Sequence, residues 1–266
     1  MNTITDAEFA RFQQLIFRTA GISLSPAKKA LVCGRLGKRL QQRGFASYAE
    51  YFRCITGAGE ANELQLAVDL LTTNETYFFR EPKHFELLRR LALAAREARR
   101  PLRVWSAASS SGEEAYSSAM VLADCLGDAP WEVLGSDIST RVLERARVAQ
   151  YPLERARLLP AEYLKRFCLK GTGRQQGTLL VSRELRKRVQ FRQVNLNAPL
   201  PGLGEFDLIF LRNVMIYFNN DTKREVVGRM LPALKPGGCF VIGHSENLNG
   251  ITDLLESVAP SVYRRP

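Results

Sequence analysis

Apolar residues recur at helical spacing through the first seventy positions of the chain. In "DAEFARFQQLIFRTAG" they place Phe9, Phe12, Ile16 and Phe17 on one face, with Gly21 as the C-cap. "SPAKKALVCGRLGKRLQQRG" opens on Ser25 as N-cap with Pro26 at the first helical position, and Leu31, Val32, Leu36 and Leu40 form its apolar stripe. "SYAEYFRCITG" and "ANELQLAVDLLTTNET" continue the pattern, so residues 1–72 read as a small helical domain. "EPKHFELLRRLALAAREARR" is a further helix, ended at Arg99-Arg100-Pro101. The texture then changes. "LRVWSAAS", "WEVLGSDI", "FDLIFLRNVMIYF" and "CFVIGHSEN" are short apolar runs, each followed by a polar turn and mostly separated by helical stretches. Such alternation predicts an α/β domain over 73–266, a parallel sheet with helices on both faces. "LKPGGCF" is a tight turn into one of its strands. Between about 151 and 195 the alternation breaks. Two strand-like runs near 179–181 and 189–191, with Gly171, Gly173 and Gly177 ahead of them, predict an inserted antiparallel excursion over 171–191.

Composition narrows the class. With 266 residues, 45% hydrophobic and 24% charged, the chain suits a globular protein with a sizeable core. The first twenty residues carry Asp6, Glu8 and Arg11, so they form no secretory h-region, and no apolar run is long enough to span a bilayer. The expected compartment is the cytoplasm. Five scattered cysteines without a CxxC and two distant histidines, His84 and His244, predict no metal site. The net charge of +11 predicts an acidic partner, which could be nucleic acid, a membrane surface or an anionic protein. From Arg11 to Arg43 there is no Asp or Glu, and Lys28, Arg35, Lys38, Arg39 and Arg43 decorate one helix as a basic face.

In an open parallel sheet, ligands bind beyond the carboxyl ends of the strands. The first such turn, "SAASSSGEEAYSS", has a lone Gly112 and then Glu113 and Glu114 at the start of a helix. The GxGxxG of dinucleotide enzymes is absent, and two anions at a helix start repel a diphosphate. A nucleoside joined to an amino acid fits better, with a carboxylate on its ammonium group. Asp137, after the second run, stands at the spacing that takes ribose hydroxyls. "TTNETYFFR", residues 72–80, adds neutral hydrogen-bonding groups in Asn74 and Thr76 and, in Arg80, a planar fork suited to a carboxylate.

Together "TTNETYFFR", "VWSAASSSGEEAYSSAMVLAD", "GSDIS", "RNVMIYF", "LKPGG" and "GHSEN" resemble the CheR-type chemoreceptor glutamate methyltransferases, which use S-adenosylmethionine. The resemblance covers the chain from the basic helices to the C-terminus, with six motifs in family order. It implies a Rossmann-like class I methyltransferase sheet carrying a small N-terminal helical domain and an inserted antiparallel β-subdomain. It implies that Asn74, Thr76 and Arg80 hold the methionine end of the cofactor, Glu113 rather than Glu114 its ammonium group, and Asp137 its ribose. Asn195 and Leu196 would border the adenine, Arg212 and Asn213 line the pocket, and Tyr217 and Arg80 stand near the reacting methyl. His244 is expected to be a hydrogen-bonded structural residue. The implied partner is the glutamate-rich helical bundle of a receptor's cytoplasmic region, met by the basic face, with the β-subdomain able to take a receptor's C-terminal peptide. A nucleic-acid methyltransferase fits less well, because "RNVMIYF" lacks the prolines of an amine-methylating motif and the basic helix lacks stacking aromatics. A non-catalytic module sensing S-adenosylmethionine is the other alternative.

Overall fold

The computed structural model describes residues 3–266. Helix α1 (Asp6–Ala20) starts where Thr5 and Glu8 cap each other, Thr5 Oγ1 accepting from the Glu8 amide at 3.2 Å and Glu8 Oε2 from the Thr5 amide at 2.9 Å. Glu8 Oε1 also accepts from the Ala49 amide, which ties α1 to α3 (Tyr48–Ile55). With α2 (Lys29–Arg43) and α4 (Ala61–Leu71) these helices enclose a core around Phe12, Val32, Leu36 and Tyr51. Three sequence expectations shift. Phe17 is exposed, since at about 100° per residue it stands well off the stripe of Phe9, Phe12 and Ile16. Ser25 makes no side-chain cap and precedes only a 3₁₀ turn, Pro26–Lys28, before α2 begins. Residues 72–76, which continued the helical pattern in the sequence, lie beyond α4 outside any helix or strand.

The larger domain starts with α5 (Lys83–Glu97) and β1 (Leu102–Ala107), followed by α6 (Glu113–Leu126), β2 (Trp131–Asp137) and α7 (Thr140–Val148). Then come β3 (Gln150–Pro152), α8 (Ala161–Phe167), β4 (Cys168–Lys170), β5 (Thr178–Val181), α9 (Arg183–Lys187) and β6 (Val189–Gln193). β7 (Phe206–Leu211), α10 (Asn220–Met230), β8 (Leu234–Ile242), β9 (Glu256–Ala259) and β10 (Val262–Arg264) complete it. The main sheet runs β6-β2-β1-β7-β8-β10-β9. Its first five strands are parallel and β10 and β9 close one edge antiparallel. The order reverses direction between β1 and β7, so a crevice opens at their carboxyl ends.

The antiparallel subdomain is a separate three-stranded sheet, β3-β5-β4, and its limits differ from those read in the sequence. It draws on residues 150–181, while the run near 189–191 is β6 and pairs parallel with β2 in the main sheet. Gly135 explains the capture of β6. A Cβ there would lie 2.5 Å from Cε1 of Phe191, so the missing side chain makes room for that ring over β2.

The two domains meet through α4 and α7. Asp69, 2% exposed, accepts from the Thr140 amide at 3.1 Å and the Thr140 hydroxyl at 2.9 Å, and so caps α7 from the other domain. No helix among the described residues is long and apolar enough to cross a membrane.

Candidate active site

The aromatics of residues 72–80 serve as anchors. Phe78 and Phe79 are buried in the main core, and the Phe79 amide donates to Ser117 Oγ at 3.0 Å. With the segment held that way, Asn74, Thr76 and Arg80 line a cavity at the crevice. Tyr77 stays half-buried, its ring flanked by the guanidiniums of Arg80 at 5.7 Å and Arg157 at 4.7 Å. Arg80 Nη1 donates to the Glu75 carbonyl at 3.0 Å, and its other nitrogens make no bond recorded among the described residues.

The loop after β1 turns back through left-handed conformations at Ala108, Ser110 and Gly112. This brings the Ser110 amide to Asp137 Oδ2 at 2.9 Å, while the Ser139 amide reaches Oδ1 at 2.9 Å. Ser110 Oγ donates to the Asn74 carbonyl, joining the loop to the 72–80 segment. Asp137 is 6% exposed, and burial pushes its pKa up to about 6 against the opposing pull of those amides.

All the predicted cofactor residues except Glu113 line this one cavity, as does Tyr217 on the 3₁₀ turn Met215–Tyr217. Glu113 is corrected by the structure. Its carboxylate is fully buried, accepting from Ser111 Oγ at 2.7 Å and from Arg155 Nη1 at 2.8 Å, and burial raises its pKa. Arg155 Nη1 donates onward to the Thr76 carbonyl at 2.9 Å, so Glu113 props up the 72–80 segment from behind. Glu114 is the carboxylate on the cavity wall. Consecutive residues of a helix point about 100° apart, so both could not face the same ligand.

Glu114 Oε1 accepts from Ser106 Oγ and Oε2 from Arg212 Nη1, each at 2.7 Å. Arg212, with a side chain 1% exposed, also lies 3.1 Å from Glu81 Oε2 and donates to the Arg80 carbonyl. Burial would raise the Glu81 carboxyl, but Arg212's charge and hydrogen bond outweigh it and hold the carboxyl below the usual range. Asn213, in a left-handed conformation, donates its amide to Glu246 Oε2 at 2.9 Å. These contacts fix the turn after β7 against the loop after β8.

Sequence reading missed the roof. Ala20 and Ile22, at the end of the first helix of the N-terminal domain, line the same cavity. Asn195 Nδ2 donates to the Thr19 carbonyl at 2.6 Å, the Ser23 amide to the Tyr217 carbonyl at 2.8 Å, and Ile22 bridges to Phe218. Nothing local in residues 19–23 signals this role, because the partners lie some two hundred positions away.

The basic face is also revised. Arg39 clamps Glu63, which is 4% exposed, through Nε at 2.8 Å and Nη2 at 2.6 Å, and Arg43 lies 3.2 Å from the same carboxylate. Arg35 donates to the Leu71 and Thr72 carbonyls. Lys28 and Lys38 remain exposed, with no ion pair recorded among the described residues. The absence of Asp and Glu from Arg11 to Arg43 hid the fact that α4 supplies the counter-ion.

The two histidines, far apart in sequence, meet in space. Their rings stand 4.9 Å apart, edge to face, beside Glu81.

A parallel sheet with a cavity at its switch point, a buried Asp after the second strand and an acidic helix start after the first define a class I nucleoside-cofactor methyltransferase site. Comparison with known proteins makes the class specific. Residues 74–263 match the CheR methyltransferase SAM-binding domain, and residues 7–72 the CheR methyltransferase all-alpha domain. The chain belongs to the CheR methyltransferase family. It is similar to chemotaxis protein methyltransferase 2 of Pseudomonas aeruginosa, at 47% identity over 97% of this chain and 93% of that one. The chemotaxis protein methyltransferases of Escherichia coli and Salmonella typhimurium are 45% and 42% identical, each over 98% of this chain and 91% and 90% of theirs. The cofactor is S-adenosylmethionine, and the cavity fits it. Its wall carries a carboxylate held by two amides, Asp137, a second carboxylate, Glu114, and the guanidinium of Arg80, groups of the kind that bind hydroxyls, an ammonium and a carboxylate.

Proposed function

We propose that the protein methylates glutamate side chains in the cytoplasmic helical bundle of chemotaxis receptors. One observation carries this reading: the cavity wall holds ionisable groups suited to a cofactor and a carboxylate, and two of its carboxylates, Glu114 and Asp137, already have partners. Glu114 is bonded to Ser106 and Arg212, and Asp137 to two backbone amides. Neither is a free base, and the reaction needs none. A glutamate carboxylate, with an ordinary pKa of ~4.3, is ionised at neutral pH and is itself the nucleophile. S-adenosylmethionine, when bound, supplies a methyl group activated by a sulfonium. The protein's own residues bind, orient and exclude water. Asp137 accepts from ribose hydroxyls, Glu114 faces the ammonium group, and Arg80 offers its remaining donors to a carboxylate. Leu196 and Asn195 border the base, and Ile22 and Tyr217 close the cavity.

For the receptor, the outward cations Lys28 and Lys38 suit a glutamate-rich surface, steering encounter more than holding the complex. The edge strands β3 and β4 of the small sheet leave backbone groups on which a receptor's C-terminal peptide can add a strand. Transfer of label from S-adenosylmethionine to receptor cytoplasmic fragments, recovered as base-labile ester, is the expected result. Label on nucleic acid, or no transfer with the cofactor bound, would refute it.

A further inference from the structure

Glu81, His84 and His244 come from two distant parts of the chain. Glu81 and His84 flank the start of α5, and His244 follows β8. A single oxygen, Glu81 Oε2, lies 3.4 Å from His84 Nδ1 and 3.9 Å from His244 Nε2, and one donor atom from each residue falls within 4.8 Å of the others. His84 is the second, independent observation. It is 2% exposed, and neither of its ring nitrogens has a hydrogen-bond partner. A buried imidazole without a hydrogen bond is costly, and a ligand that accepts its lone pair removes the cost.

We propose that Glu81, His84 and His244 form a binding site for a divalent transition metal ion of the zinc class, whose occupancy competes with Arg212 for Glu81. Two imidazoles and a carboxylate are a donor set that suits zinc, with a position left for water. Tetrahedral donors at metal–ligand distances of about 2 Å stand about 3.3 Å apart, so Glu81 and His84 are already spaced for it and the widest separation must close by up to about 1.5 Å. His244 can supply that movement, since its side chain is 49% exposed and free to turn. The competition follows from the shared atom. Arg212 lies 3.1 Å from the same Glu81 Oε2 that faces both histidines, so a bound cation displaces the guanidinium from that oxygen. Arg212 keeps Glu114 and the Arg80 carbonyl, both part of the cofactor cavity, and its release from Glu81 reaches that cavity directly. The neighbouring guanidinium also sets the affinity below that of a closed structural zinc site.

The test uses the full chain and the metal alone. Competition with a chromogenic chelator should show one zinc ion bound per chain, weakened at least about tenfold in His244→Ala, a substitution at a half-exposed ring that leaves the fold intact. Cobalt substituted for zinc should give a weak visible spectrum without the near-ultraviolet thiolate band. Unchanged zinc affinity in His244→Ala, or a thiolate band showing that cysteines hold the ion, overturns the site. Zinc should also weaken S-adenosylhomocysteine binding by about fivefold or more in the parent protein and not in His244→Ala. Equal affinity with and without zinc overturns the competition for Glu81.

Discussion

Asp137 offers the sharpest test of the cavity, because its burial gives cofactor binding a pH signature. Its pKa is raised from 3.8 to about 6, chiefly by burial. A ribose that donates two hydroxyls needs the ionised carboxylate, so binding should select that form. The ionised fraction is about one tenth at pH 5 and about nine tenths at pH 7. S-adenosylhomocysteine affinity should therefore fall about tenfold, or about 1.4 kcal/mol, between pH 7 and pH 5. Titration calorimetry over this window avoids the ligand's own amino group, which titrates near pH 8. Binding at pH 5 should also release a proton, making the measured heat depend on the buffer. Asp137→Asn should bind more weakly at pH 7 and lose the pH dependence. Stability of the free protein should move the other way. A carboxyl whose folded pKa is raised contributes full stability below its unfolded value, and loses it as pH rises from about 4 through about 6, by about 3 kcal/mol in all. Flat affinity from pH 5 to 7 in the parent protein would refute the assignment of Asp137 to the ribose.

Arg80→Ala should weaken S-adenosylmethionine and S-adenosylhomocysteine alike by about 1.5–3 kcal/mol, and an unchanged calorimetric affinity in the folded variant would remove Arg80 from the cofactor site. The two glutamates should separate. Glu114→Gln is expected to lower cofactor affinity, whereas Glu113→Ala should lower stability by about 1–3 kcal/mol in urea unfolding while a folded fraction binds normally. In the N-terminal domain, Arg39→Glu sets two carboxylates together at buried Glu63 and should cost about 3 kcal/mol or more. Lys38→Glu should change stability by no more than about 0.5 kcal/mol yet slow receptor methylation, and more so at low salt.

What was legible in the sequence, and what was not, follows from the range of each signal. The strands β1, β2, β7 and β8 were visible as apolar runs because both of their faces are covered, and the residues after them fell in the cavity because a parallel sheet presents its strand ends together. The choice between Glu113 and Glu114 depended on the rotation of α6. That rotation is set by Glu113's contact with Arg155, forty-two positions on, and no local pattern records it. The run at 189–191 looked like the partner of the strand before it, but its pairing is decided by the gap at Gly135, where Phe191 fits. Basic residues on α2 read as a docking face because charge was counted along the chain. Glu63, on another helix, turns Arg39 and Arg43 into structural groups and leaves Lys28 and Lys38 to face outward.

The helical domain and the α/β domain meet at the cofactor cavity. Ala20 and Ile22 line the cofactor cavity, the Thr19 carbonyl holds Asn195, and Asp69 caps α7 immediately after Asp137. The helical domain thus touches both walls that would contact the nucleoside. The segment from 19 to 23 joins the helical domain to the cavity, so the two domains, each with its own core, build one site together.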